Sequence, residues 1–190
     1  MYSIKENSSD FLEINKSKFY TFLYRVNTYQ EVNLYLEEVR KLYKDATHYC
    51  FAYKIGNIQK FSDDGEPSGT AGLPIMDVIQ KRNLDYVLCI VVRYFGGIKL
   101  GAGGLVRAYS NACKQGFDKC QIIELVDGYE IRLEANYETQ KQIDYVFENC
   151  IKKKEFQEKV IYYLDIEKEK LELLHGYSYQ IIQEKKIEKP

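Results

Sequence analysis

Three short blocks of this sequence concentrate side chains able to do chemistry. They are Asp45-Ala-Thr-His48-Tyr-Cys50, Ser62-Asp-Asp-Gly-Glu-Pro-Ser-Gly-Thr70 and Arg93-Tyr-Phe-Gly-Gly-Ile-Lys99-Leu-Gly-Ala-Gly-Gly-Leu-Val-Arg107. In the second block three carboxylates (Asp63, Asp64, Glu66) and three hydroxyls fall within nine residues. Such an oxygen set suits a hard cation such as Mg²⁺, and close carboxylates can share acid–base work. Asp-Gly and Glu-Pro are equally turn dipeptides, and Asp and Ser cap their own turns. His48 and Cys50, two apart on an extended segment, point the same way. That geometry separates them too far for a directly bonded nucleophile–base pair. His48 therefore reads as a proton shuttle, a ligand-facing hydrogen bonder or a structural histidine. No catalytic residue is assigned; His48, Asp63, Asp64 and Glu66 are the candidates.

The third block is the strongest. The chain has 12 glycines, and nine lie between Gly56 and Gly104. A strand, a Gly-rich loop and a helix in succession make an anion site. The helix N-terminus offers free N–H groups and about half a positive charge, and glycines allow close approach. Arg93 and Arg107 at the edges and Lys99 inside add cationic donors. The candidate anion or nucleic-acid-binding set is Arg93, Gly96, Gly97, Lys99, Gly101, Gly103, Gly104 and Arg107. The block is no Walker loop, lacking Gly-Lys-Ser/Thr, and no dinucleotide fingerprint, because Val106 stands where a third glycine belongs. The competing reading is a tight turn with close helix–strand packing.

The elements that must position these blocks follow from pattern. Phe11–Asn15 and Lys18–Val26 read as a hairpin across Asn15-Lys16-Ser17. Thr28 and Glu31 form a capping box, and Val32, Tyr35, Leu36, Val39 and Tyr43 follow at helical spacing over about 29–44. His48–Ile55 alternates, with Tyr49, Phe51, Tyr53 and Ile55 on the core face and a mixed opposite face. Pro74 opens a helix reaching about Arg82. Tyr86–Val92 is continuously apolar, as a strand buried on both faces is. A helix follows the third block, and Gln121–Val126 closes the unit. Beyond the boundary at Asp127-Gly128 the order is β-α-β-β-α-β, the ferredoxin-like arrangement. The expected class is α+β in two domains, 1–126 and 127–190.

Composition narrows the partners. Among 190 residues, 27 basic and 28 acidic side chains leave a net charge of −1, against a coat-like nucleic-acid binder. The longest apolar run is far too short to span a bilayer, and the N-terminus lacks a signal-peptide core. Five cysteines without C-x-x-C pairs or zinc spacing fit a reducing, cytoplasmic setting and burial as small apolar residues. The Lys-rich stretch at 152–154 reads as solvated surface, and Tyr162-Tyr163 as either core or a stacking platform.

Taken together, Asp45-Ala-Thr-His48-x-Cys50-x-Ala52-Tyr53-x-Ile55-Gly56, Ser62–Gly72 and Arg93–Ser110 closely resemble the IMPACT family, in particular its bacterial members. The resemblance covers roughly residues 15–118, and residues 129–185 are similar to the bacterial C-terminal domain by position and pattern. It implies a ribosomal protein S5 domain 2-like N-terminal domain and a ferredoxin-like, elongation-factor-G-like C-terminal domain. Eukaryotic relatives regulate translation initiation. One departure is Val92, where relatives often carry a small polar residue. The expected function is a non-enzymatic, translation-associated regulator that binds RNA, the ribosome or a translation factor, not a membrane, and needs no cofactor. The alternative is a phosphate- or nucleotide-binding enzyme, assisted by Mg²⁺ on the carboxylate block.

Overall fold

The structure, a computed structural model, describes residues 1–189. It is an α+β chain of antiparallel sheets and helices in two compact units, Met1–Ile123 and Glu124–Pro190.

In the first unit, β1 (Tyr2–Ile4) precedes a hairpin of β2 (Ser8–Ile14) and β3 (Ser17–Arg25). Asn15 and Lys16 between them both have positive φ, 47° and 63°, the two-residue turn whose twist matches paired strands. Helix α1 (Tyr29–Leu42) starts where Thr28 Oγ1 accepts from Glu31 N at 3.3 Å. There follow β4 (His48–Ile55), β5 (Ile58–Ser62), α2 (Gly72–Lys81), β6 (Val87–Tyr94) and α3 (Gly101–Asp118). The sheet runs β2-β3-β6-β4-β5, every neighbouring pair antiparallel.

Helices on both faces explain why β6 is apolar from Val87 to Val92. Its residues alternate between two cores. Val87, Cys89 and Val91 pack with α2 and α3, while Leu88, Ile90 and Val92 pack with Val32 and Val39 of α1. Val92, the departure from the family pattern, is thus fully buried on the α1 side. The mixed face of β4 is core as well. Cys50 and Ala52 are fully buried with α2 and α3, because small side chains let those helices sit close. Cys89 and Cys113 are also buried, and Cys120 and Cys150 partly so; all five thiols are free.

The second unit contains most of β7 (Ile122–Ala135), then α4 (Gln140–Val146), β8 (Ile151–Phe156), β9 (Val160–Glu167), a 3-10 turn (Lys168–Leu174) and β10 (Ser178–Glu188). Within it the strands lie in the order β10-β7-β9-β8, each pair antiparallel. Asp127-Gly128 is not a turn: β7 runs straight through it. Gly128 pairs with Lys185 and Glu167 on either side, and a Cβ there would stand 2.6 Å from Ile187 Cδ1. The sequence pattern predicts helices over 137–150 and 168–175, and the α-helical parts are shorter. Residues 137–139 form a 3-10 turn, and the second helical segment is wholly 3-10. Tyr162 belongs to the core, its hydroxyl donating to Asp144 Oδ1 at 2.9 Å. No helix among the described residues is long and apolar enough to cross a membrane.

Candidate functional site

The three chemical blocks converge at one end of the first sheet. His48 opens β4, Arg93 lies near the end of β6, and the two are register partners. The 62–72 loop folds back over both. The Cys50 thiol donates to Asp63 O at 3.0 Å, and a His48 ring nitrogen meets Asp64 O at 2.8 Å.

Each carboxylate of that loop has a different task. Asp63 Oδ1 accepts from Ala71 N and Gly72 N, both at 2.9 Å, and Oδ2 from Gly69 N at 2.8 Å. It is the amino-terminal cap of α2, whose own Ala71 offers none. Asp64 Oδ2 accepts from Tyr49 N at 2.7 Å, and Oδ1 meets Arg40 Nη2 at 2.9 Å, tying the loop to β4 and α1. Glu66 alone turns into the interior. Its side chain is 3% exposed, and Oε1 accepts from Arg93 Nη1 at 2.6 Å and from Tyr109 Oη at 2.8 Å. Arg93, itself 5% exposed, donates from Nη2 to Ser17 Oγ at 3.3 Å and lies between the rings of Phe19 and Phe95, 5.5 and 5.4 Å away.

This arrangement constrains where several protons sit. A carbonyl oxygen only accepts, so His48 Nδ1 carries the proton toward Asp64 O. Nε2 then points toward Glu66 Oε2, 3.7 Å away. Burial pushes the Cys50 thiol well above the usual cysteine range, only partly offset by its hydrogen bond to Tyr109. Cys50 is therefore a buried thiol and no thiolate nucleophile. Burial first, then Cys50 and Glu66, raises the Tyr109 phenol, which stays a hydrogen-bond donor.

Above this network lies a cleft of about 430 Å³, bordered by Thr47, His48, Glu66, Arg93, Phe95 and Lys99 and by the first turn of α3. No side chain caps α3, and its first turn carries no carboxylate. Of the predicted anion set, Arg93, Lys99 and Gly101 border the cleft. Gly96 instead serves packing. A Cβ there would stand 2.0 Å from the Lys16 carbonyl carbon, so the β2–β3 turn seats directly on it. Gly97 has φ of +84° with open space beyond; Gly103 also faces open space, and Gly104 sits against Leu100. Arg107 is exposed on α3 outside the cleft.

Asp63, Asp64 and Glu66 do not fit a Mg²⁺ site. Between them five of six carboxylate oxygens are engaged by protein donors, and no group of three metal-ligating side chains exists among the described residues. Sequence reasoning singled out neither Tyr109 nor Phe95. Tyr109 has no local signal, since its partners Glu66 and Cys50 lie 43 and 59 residues away.

A family model for the Impact N-terminal domain matches residues 15–117, more than half of the chain. The protein belongs to the IMPACT family. Its relatives include the IMPACT family member YvyE of Bacillus subtilis, 46% identical over 126 residues, 65% of this chain and 58% of that protein. The chain thus spans little more than half the length of that relative. YigZ of Escherichia coli K12 is 35% identical over 143 residues, 73% of this chain and 70% of YigZ. A crystal structure of a hypothetical protein superposes with TM-score 0.67 at 28% identity, covering 96% of this chain and 97% of the other.

Proposed function

We propose that this protein is a non-enzymatic, translation-associated regulator acting in the cytoplasm, which grips RNA phosphate at the amino terminus of α3. The observation that carries this reading is the uncapped, carboxylate-free first turn of α3 opening beside Lys99 on a cleft. Free N–H groups and a flexible cation form a phosphate cradle. Lys99 makes no ion pair among the described residues, whereas Arg93 is already spent on Glu66. The S5 domain 2-like and ferredoxin-like readings of the two units support the same conclusion. For the second unit, the strand order fourth-first-third-second is that of the ferredoxin-like arrangement. Partners are then RNA, the ribosome or a translation factor.

Co-sedimentation with ribosomes and filter binding of RNA at stepped salt test this. Binding should weaken with salt, and Lys99→Ala should flatten the log–log salt slope by about one unit. Absence of any salt-dependent association with RNA or ribosomes would refute the proposal.

A further inference from the structure

Glu66 holds an unused valence. Oε1 is saturated by Arg93 and Tyr109, but Oε2 accepts no hydrogen bond, and its separation of 3.7 Å from His48 Nε2 is too long for one. In the neutral imidazole Nε2 is also an acceptor, because Nδ1 holds the proton against Asp64 O at 2.8 Å. With the imidazole neutral, two acceptors, one on a carboxylate 3% exposed, face each other in the cleft wall with no protein donor between them. Both border the open cleft, and a ligand carrying O–H groups would satisfy them in place of water. The same cleft offers positive potential at Lys99 and the first turn of α3, so the ligand also carries an anion. Arg93 neutralises Glu66 at 2.6 Å, so the carboxylate does not repel that anion. Phe95 borders the cleft too. It is 45% exposed, with the Arg93 guanidinium 5.4 Å from its ring, and offers a surface for a flat ring.

Hydroxyl donors, a phosphate and a flat ring on one small molecule describe a ribonucleoside 5′-phosphate, and about 430 Å³ lies within the range of small-ligand pockets. We propose that the cleft is a ribonucleotide pocket. The 2′ and 3′ hydroxyls donate to Glu66 Oε2 and His48 Nε2, the phosphate rests on the α3 amino terminus and Lys99, and the base stacks on Phe95. The inference rests on the phosphate cradle proposed above and names what the cradle holds. A free vicinal diol beside a 5′-phosphoryl group occurs in two sources, a free nucleotide and the 3′-terminal nucleotide of an RNA.

Calorimetric titration of the full chain separates them. The probes are AMP, its 2′,3′-dideoxy analogue, inorganic phosphate, and a short single-stranded RNA ending in a free diol or in a 3′-phosphate. The expected results are binding of AMP, of the diol-ended RNA or of both, and at least about tenfold weaker binding of the probes lacking a diol. Phe95→Ala and Lys99→Ala, both exposed positions, should each weaken AMP or diol-ended RNA about tenfold. Binding of AMP alone assigns the free nucleotide; binding of the diol-ended RNA assigns the RNA terminus. The pocket is overturned if dideoxy and blocked probes bind as well as their diol counterparts, or if both variants bind like the wild type. Failure of AMP and diol-ended RNA to bind also overturns it, and Lys99-dependent retention of the blocked RNA would then leave the phosphate cradle standing alone.

Discussion

Replacing Glu66 by Gln should strip charge from the cleft while keeping its shape. The amide oxygen can still accept from Arg93 and Tyr109, but the Arg93 guanidinium, 5% exposed, then lies buried with no counter-ion. Removing one partner of a buried pair costs about 3–5 kcal/mol, and the isosteric change belongs at the low end, about 3 kcal/mol. Desolvation of the cation dominates that figure, because Arg93 is only 5% exposed and packs against Phe19 and Phe95. Two compact units invite separate unfolding, so a global melting curve would blur the effect. Thiol labelling followed at Cys89 and Cys113, with the part-buried Cys120 and Cys150 replaced by Ser, reads the first unit alone. Cys89 and Cys113 are buried there, and burial holds the Cys89 thiol well above the usual range, so reaction requires opening. Where opening limits labelling through its equilibrium, 3 kcal/mol is a rate increase of a little over about a hundredfold. Arg93→Met should cost a similar amount, and the double variant should lose clearly less than the two singles combined. Glu66→Gln labelling within about twofold of wild type, or strict additivity in the double variant, would refute the buried-pair argument.

Three further outcomes follow from the same geometry. Gly96→Ala should unfold or strongly destabilise the first unit, because its Cβ would overlap the Lys16 backbone, while Gly103→Ala, facing open space in α3, should stabilise by about 0.5–1 kcal/mol; the labelling rates of Cys89 and Cys113 compare them. Asp63→Ala should cost about 2 kcal/mol in chemical denaturation by leaving three N–H groups at the start of α2 without their acceptor, and adding Mg²⁺ should not alter the wild-type midpoint. In alkali, burial pushes the Tyr24 phenol, stacked on Tyr35 at 4.0 Å, up to about 12. Its contribution is complete below the unfolded value near pH 10 and is lost as pH climbs toward 12, so stability should decline across that window. A single wave of phenolate absorbance near pH 10 from all 18 tyrosines would contradict it.

What the sequence makes legible here is whatever depends on neighbours in the chain. The Thr28–Glu31 box, the Asn15-Lys16 turn and the doubly buried β6 are set by residues a few positions apart, and each forms as patterned. The opposite face of β4 was harder to read, since Cys50 and Ala52 look mixed until α2 and α3 arrive to cover them. In the second unit local pattern overstated the helices, which tertiary packing shortened to seven α-helical residues and 3-10 turns. Asp127-Gly128 carries the composition of a turn, yet close packing against Ile187 requires the glycine inside a strand.

The carboxylate block shows why site chemistry was less accessible than fold. Asp63, Asp64 and Glu66 are near-equivalent acids within four positions, and no local rule separates them. The backbone does. Asp63 stays beside its own loop and meets N–H groups six to nine residues on. Asp64 turns back to β4 and α1. Glu66 is carried inward to partners 27 and 43 residues away, Arg93 and Tyr109. The third block divides in the same way, Gly96 for the Lys16 turn and Lys99 for the cleft. The residues that hold the loops together therefore surround the residues left open to a ligand. A variant can be assigned to binding only after its cost to that surrounding frame has been measured, so Lys99→Ala and Phe95→Ala carry more functional information than any change at Glu66.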